Sequence, residues 1–456
     1  MRLHFMNRTR EISKLTRVLG SSAPSLVVVY GRRRCGKSTL LQHVTKKTDI
    51  YYLADEQETP LQIQGLSVEI GRTIPGFEEV NYPSWEVLLS ALQRQAKMGT
   101  TLVLDEFPYL VQKSPELPSI IQKLIDHQQN KTNIIICGSS QRMMQGLVLD
   151  GSAPLYGRAA EIIKVRPLEP GWIKEALALN NIEAIEAYSV WGGVPRYWEL
   201  AKTYQDQEEA RKELVLDRDG VLHNEPMRLL LDDMRGASQP HSLLSLIANG
   251  ANRLSEIAGR LGKPATSLTR PLSNLIDLGY IKRDHPFGES PRATKKTIYR
   301  LEDPFLLFWY RIVLPNHSLL EQNLVDAVYA ESRNRLRAQT SEIWEEMARK
   351  STAHLNIANI RWKPAQRWWG NGLDGKSMEI DAIAESLDHR FLLFGEVKWE
   401  EKSDIKATIS KLKKSIANFP KQTDKETIMA VWCKDDRHEN GEAWTISPGD
   451  VLAGLK

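Results

Sequence analysis

At 456 residues the chain exceeds one ordinary domain and predicts three or four. With 41% hydrophobic and 26% charged residues it has the composition of a soluble globular protein able to bury several cores. Its net charge of +4 permits nucleic acid as a partner without indicating it. Cys35, Cys137 and Cys433 are far apart and form no CxxC pair, which argues against a disulfide framework or zinc ribbon and for a reducing compartment. The start carries no apolar signal core, and the greasiest run, FLLFWYRIVL (305–314), contains Arg311 and is far short of a span. A cytoplasmic protein with no membrane partner is expected.

Up to about residue 165, the β-rich runs SLVVVY, DIYYL, TLVLDE and NIIICGSS alternate with helical patterns, which predicts a parallel sheet flanked by helices. GRRRCGKST matches G-x-x-x-x-G-K-[ST], with Gly31, Gly36, Lys37 and Ser38 in the required places and Arg32, Arg33, Arg34, Cys35 and Thr39 filling the rest of the loop. The glycines let backbone N–H groups curl around phosphates, Lys37 reaches the β/γ oxygens, and the Ser38 hydroxyl ligates magnesium. A buried strand enters the loop and a helix, STLLQHVTK, leaves it, so its N-terminal dipole favours the anion. ATP and Mg²⁺ are the expected cofactors. The three arginines either steer phosphate or contact a neighbouring subunit.

In TLVLDEFPYL, Asp105 ends an apolar strand and can hold the magnesium shell, while Glu106 can orient or deprotonate the attacking water. IIICGSS is a similar strand ending in Ser139 and Ser140, of which one senses the γ-phosphate or caps a turn. In the order FMNRTREISKL, GRRRCGKST, LVLDEFPYL, CGSSQRMM, APLYGRAAEI and WGGVPRYW, the first 200 or so residues resemble the archaeal-type P-loop ATPases, relatives of the AAA and STAND families. The resemblance implies that Asn7, Arg8 and Glu11 lie near the adenine. It also implies that Arg158 is an arginine finger or sensor, although an ion pair is an equal alternative. Gly192 to Pro195 would turn within a helical lid.

From about 166 to 235 the text is helical. Between 236 and 318 come three short helices, punctuated by Gly262 and Pro264, then a strand, YIKRD, and its return, KKTIYRLED, around a tip at 285–294. This pattern is similar to the winged-helix module of transcription regulators and replication initiators. A DNA-reading version would present Thr266, Ser267, Thr269, Arg270, Ser273 and Asn274 to the major groove and Arg283, Arg292, Lys295 and Lys296 to phosphates. Pro271 inside the helix and the few bidentate base readers argue against base-specific readout. A protein contact or nucleotide-state lever is the alternative.

The last segment holds MEIDAIAESLDHRFLLFGEVKW (378–399), two strands and a turn. With LDHR (387–390) as the turn, Ser386 pairs with Phe391, and counting back sets Asp381 opposite Glu396, with Lys398 on the same face. Opposed like charges destabilise a sheet pair, so a divalent cation between them is the natural compensation. Lys398 could stabilise hydroxide or a pentacovalent phosphate. The alternative is a Glu396–Lys398 salt bridge with Asp381 solvated. D-x(14)-E-x-K across a hairpin resembles the core of the PD-(D/E)XK nuclease superfamily, although the usual proline before the aspartate is Ile380. EDPFLLFWYRIVLP, SEIWEEMAR and RWWG beside it look like the nuclease-like domain of unknown function that commonly follows this ATPase type. The resemblance implies Glu345 as a further metal ligand, with Glu342 and Glu346 as competitors. After it, Ile405, Ile409, Leu412 and Ile416 form a helical stripe, leaving Lys406, Lys411, Lys413 and Lys414, with Lys402, to track phosphates or merely face solvent.

The expected fold class is therefore α/β. It comprises a P-loop NTPase parallel sheet (1–165), a helical lid (166–235), a winged-helix domain (236–318) and a C-terminal α/β restriction-endonuclease-like domain (319–456). Two functions fit. One is an ATP-hydrolysing protein with a Mg²⁺-dependent nuclease-like domain acting on DNA in processing, mobile-element biology or defence. The other is a STAND-like ATP-driven switch, acting through a protein partner or homo-oligomer, whose last domain is inert.

Overall fold

The computed structural model describes residues 4–126, 130–234, 236–290, 294, 296–400, 404–421, 424–434 and 441–456. Arg292, Lys295 and Lys402 lie outside the described residues. The chain forms two compact units, one of His4–Pro167 with Leu229–Arg235 and the other of Leu168–Arg228 with Gly236–Lys456.

The first unit is built on five parallel strands: β1 (Leu26–Tyr30), β2 (Ile50–Leu53), β3 (Thr100–Asp105), β4 (Thr132–Gly138) and β5 (Ala159–Lys164), in the order β2-β3-β4-β1-β5. Every residue of β1 and β4 is buried, as expected of strands covered on both faces. The first four are the runs read from the sequence. β5 was not anticipated, because AAEIIK carries Glu161 and lacks the continuous apolar run that marks its neighbours. Placing β4 between β1 and β3 brings the ends of the phosphate-loop strand, the Asp-Glu strand and the Ser-Ser strand side by side.

In the second unit, three helices, Ser238–Ala248, Leu254–Leu261 and Ala265–Asp277, lead into an antiparallel pair, β6 (Ile281–Asp284) and β7 (Ile298–Leu301). Leu268, Leu272 and Leu275 are the buried stripe of the third helix, and Pro271 is accommodated inside it. The carboxy-terminal part opens with a long helix, Val325–Ser351. It continues through β8 (Gln366–Asn371), β9 (Ser377–Glu385) and β10 (Phe391–Val397), each antiparallel to the last. The helix Ile405–Ala417 then carries the chain to β11 (Glu426–Trp432), parallel to β10, and β12 (Trp444–Ile446) lies beyond it. Ile405, Ile409 and Leu412 are the buried face of that helix, as the stripe predicts. A Cβ on Gly395 would come within 2.4 Å of the Trp432 ring, so only glycine lets the indole lie across β10.

Candidate functional site

Gly31 has φ 153° and a Cβ there would lie 2.2 Å from the Val165 carbonyl oxygen; Gly36 has φ 85° and starts the helix Lys37–Val44. Both positions require glycine. Lys37 is buried and donates to the carbonyls of Gly31 (2.9 Å) and Arg32 (3.2 Å), which folds its ammonium back over the loop. Ser38 Oγ donates to Asp105 Oδ2 at 2.7 Å, so the two expected magnesium ligands meet in the folded chain. Asp105 is fully buried and also accepts from the Tyr51 hydroxyl at 2.5 Å. Burial, followed by this carboxylate, pushes the Tyr51 hydroxyl well above its ordinary value.

Glu106 sits at φ 52°, a left-handed turn at the end of β3. Its Oε2 accepts from both the backbone N–H (3.1 Å) and the hydroxyl (2.9 Å) of Ser139 at the end of β4. Ser139 thus holds the Glu106 carboxylate, a contact that spacing alone did not reveal. Ser140 precedes the helix Gln141–Val148 and makes no side-chain cap bond. Arg8 is buried and donates to the carbonyls of Cys35 (3.0 Å) and Arg166 (2.7 Å) and pairs with Glu11, so it ties the first helix to the loop; Asn7 beside it has φ 56°.

Arg33 and Arg158 each meet a carboxylate within the chain, and for Arg158 this is the ion pair that the sequence left as an equal alternative. Arg33 pairs with Asp232 at 3.0 Å within the same chain. Arg158 makes a two-pronged bond to Asp126, 2.9 Å on each arm, immediately before β5. Ala159 pairs with Leu26, the first residue of β1, whereas the phosphate loop follows the last, Tyr30. Five residues of strand, roughly 16 Å, separate them, so Arg158 does not reach the loop of its own chain.

The hairpin register is the one that the turn predicts. Ser386 donates its N–H to Phe391, Gly395 pairs with Ala382, and the next position sets Asp381 against Glu396. Asp381 is half-buried and its Oδ2 accepts the Val397 N–H at 2.9 Å. Burial first, then the charges of Glu396 and Glu345, push its carboxyl up to about 6, against the pull of the Val397 N–H and Lys398. Glu396 is buried and accepts at 2.8 Å from both Lys398 and Lys411. Burial would raise its pKa, but these two ammonium groups hold the carboxyl below its ordinary value. The Glu396–Lys398 salt bridge of the alternative reading is therefore present, with Asp381 half-buried and bonded to the backbone beside it.

Of the three acidic candidates on the helix Val325–Ser351, Glu345 is the one whose charge is among the main causes that raise Asp381. Glu342 is bound by Arg300 (2.8 Å) and Arg311 (2.7 Å), and Glu346 by Lys282 (2.6 Å) and Lys350 (3.3 Å). Despite burial, those partners hold both carboxyls low. Glu345 has Arg349 at 3.5 Å, and Arg349 also donates to the Asp381 carbonyl at 2.9 Å. The oxygens of Glu345, Asp381 and Glu396 do not all lie within 4.8 Å of one another. Lys406, Lys411, Lys413 and Lys414 are exposed beside them, with Lys413 paired to Glu442. On the third short helix, Thr266, Ser267, Thr269, Arg270, Ser273 and Asn274 are all exposed, as are Arg283 and Lys296.

No helix among the described residues is long and apolar enough to cross a membrane. A family model for an ATPase domain predominantly from Archaea matches residues 5–200, and one for archaeal and bacterial proteins of unknown function matches residues 309–409. The Walker-type ATPase of Pyrococcus abyssi is similar at 22% identity over 68% of this chain and 96% of that one, with a TM-score of 0.49. The ORC2 protein of Aeropyrum pernix is similar at 16% identity over 73% and 96%, with a TM-score of 0.43. An uncharacterized protein of Methanocaldococcus jannaschii is 32% identical over 411 residues, 88% of each chain. With that identity over that length, the chain belongs to the family of this Methanocaldococcus protein.

Proposed function

We propose that the protein hydrolyses ATP and that its carboxy-terminal part is a Mg²⁺-dependent, PD-(D/E)XK-like nuclease acting on DNA. In the ATPase, Lys37 holds the β/γ phosphate oxygens, and Ser38 and Asp105 are the magnesium ligands. The ion supplies charge neutralisation at those oxygens. Glu106 orients and deprotonates the attacking water, and Ser139 keeps its carboxylate aimed. The ligands fit a hard cation, because Asp105 presents a fully buried carboxylate bonded to the partnering hydroxyl.

One observation carries the nuclease reading: Asp381 and Glu396 follow the Ala382–Gly395 pair in the β9–β10 register, and after burial the Glu396 charge helps to raise the Asp381 carboxyl to about 6. A purely structural carboxylate is normally placed to be stabilised when charged; this one is penalised until a further cation arrives. The order of helix, three antiparallel strands, helix and parallel strand supports an α/β reading of this part. Asp381 and Glu396 would hold magnesium, which supplies an acidified water and charge for the phosphate. Lys398 donates toward the developing negative charge. The three helices and the β6–β7 ribbon serve as a winged helix, and its exposed polar face and the lysines of Ile405–Ala417 track the DNA backbone. The test incubates supercoiled and linear DNA with Mg²⁺ or Mn²⁺, with and without ATP. Wild-type protein should cleave and Asp381→Ala should not; equal cleavage by both, or none by either, removes the nuclease assignment.

A second reading is favoured by the two lysines on Glu396, which balance its charge without an ion. On it the domain is inert and ATP drives assembly or partner recognition. It predicts nucleotide-dependent oligomerisation in the absence of any cleavage.

A further inference from the structure

His223 lies in the turn between the π-helical segment Lys212–Leu216 and the helix Glu225–Asp233, and is 1% exposed. Its ring is fixed: Nδ1 is 2.9 Å from the Val215 carbonyl, and its own carbonyl accepts from Trp309 Nε1 at 2.5 Å. A carbonyl only accepts, so Nδ1 carries the proton and Nε2 presents its lone pair. That Nε2 is buried with no hydrogen-bond partner. Leaving such an acceptor unmade costs about 1–3 kcal/mol, so what it faces is informative.

It faces His317 and Glu321, one helical turn apart at the start and end of His317–Leu320. Ligand atoms of all three residues lie within 4.8 Å of one another, the only such group among the described residues. His317 Nε2 and Glu321 Oε1 are 3.6 Å apart, too long for a hydrogen bond but near the separation of roughly 3.3 Å between neighbouring ligands of a tetrahedral ion with bonds of about 2.0 Å.

We propose that His223, His317 and Glu321 form a binding site for one divalent transition-metal ion of the zinc class, separate from both magnesium sites. Two imidazoles and a carboxylate are a borderline donor set that suits zinc or cobalt rather than magnesium. The Val215 carbonyl is the outer partner that fixes the tautomer of a ligating histidine. The half-exposed His317 and Glu321 leave a coordination position open to water. The ion clips the 217–224 turn to the segment that begins at His317.

Chelator-treated full-length protein is titrated with cobalt alone, without nucleotide, and then with zinc in competition. Wild type should bind one equivalent with visible d–d bands and no thiolate charge transfer, and zinc should displace it and raise Tm. Asp381→Ala should keep these bands, which separates this ion from any at the hairpin. His317→Ala and Glu321→Gln alter half-exposed side chains and should fold with wild-type circular dichroism, yet weaken binding at least ~10-fold. Absence of the bands in folded wild type, or binding unchanged in both variants, overturns the site.

Discussion

The charge on Asp381 makes the sharpest prediction, because a structural carboxylate and a cation ligand respond oppositely to the same substitution. Holding a carboxyl at about 6 instead of its ordinary 3.8 costs the ionised native state roughly 3 kcal/mol at most. The folded chain then binds this proton more tightly than the unfolded one does. Stability from this group is therefore fully present below pH 4 and is lost as pH rises through 6. Asp381→Asn keeps an acceptor for the Val397 N–H and removes the charge. Without divalent ions, the variant should match wild type near pH 4 and exceed it above pH 6.5. At ~2–4 °C per kcal/mol, the gain in Tm of the carboxy-terminal transition is about 10 °C at most. Trp344, whose Nε1 donates to the Lys398 carbonyl, and Trp399 against it are the fluorescence reporters. Added Mg²⁺ should stabilise wild type and not the variant, with an affinity that climbs as pH rises to 6 and then levels. If Asp381→Asn is less stable than wild type at pH 8 in chelator, the carboxylate is a structural partner and the reasoning fails.

Lys37→Ala should abolish nucleotide binding, while Glu106→Gln should bind ATP and hydrolyse it about 10²-fold or more slowly; equilibrium dialysis and phosphate release separate the two. Arg158→Ala should leave the ATPase rate of the chain unchanged, since its guanidinium is engaged by Asp126 at the far edge of the sheet. A loss approaching the ~10³-fold value of an arginine finger would show that it acts on another copy. Lys411→Ala removes one of the two cations on Glu396 and should tighten Mn²⁺ binding, read by electron paramagnetic resonance; weaker binding would mean that the lysine helps to build the site.

What was legible in the sequence follows the range of the forces involved. Leu26–Tyr30 and Thr132–Gly138 are unbroken buried strands, and unbroken apolar runs announce themselves. The β9–β10 register was legible because a short turn dictates pairing: once LDHR closes the hairpin, Asp381 must meet Glu396. The partners that set each charge were not legible. Arg33 meets Asp232 across 199 residues, Ser139 reaches Glu106 between neighbouring strands, and Lys411 reaches Glu396 from the following helix. No local spacing encodes such contacts. The choice between a finger and an ion pair at Arg158 stayed open for a related reason, since its partner Asp126 lies 32 residues away along the chain. His223 and His317 went unnoticed because lone histidines so far apart resemble any others until folding aligns them.

Anomalous scattering from a crystal soaked with manganese and a non-hydrolysable ATP analogue tests the central claim most directly. One peak is expected between Ser38, Asp105 and the phosphates, and a second between the Asp381 and Glu396 carboxylates, with Lys411 withdrawn. Density at the first position with none at the second, and Lys398 and Lys411 still closed on Glu396, would contradict a metal-dependent nuclease and leave an ATP-driven switch.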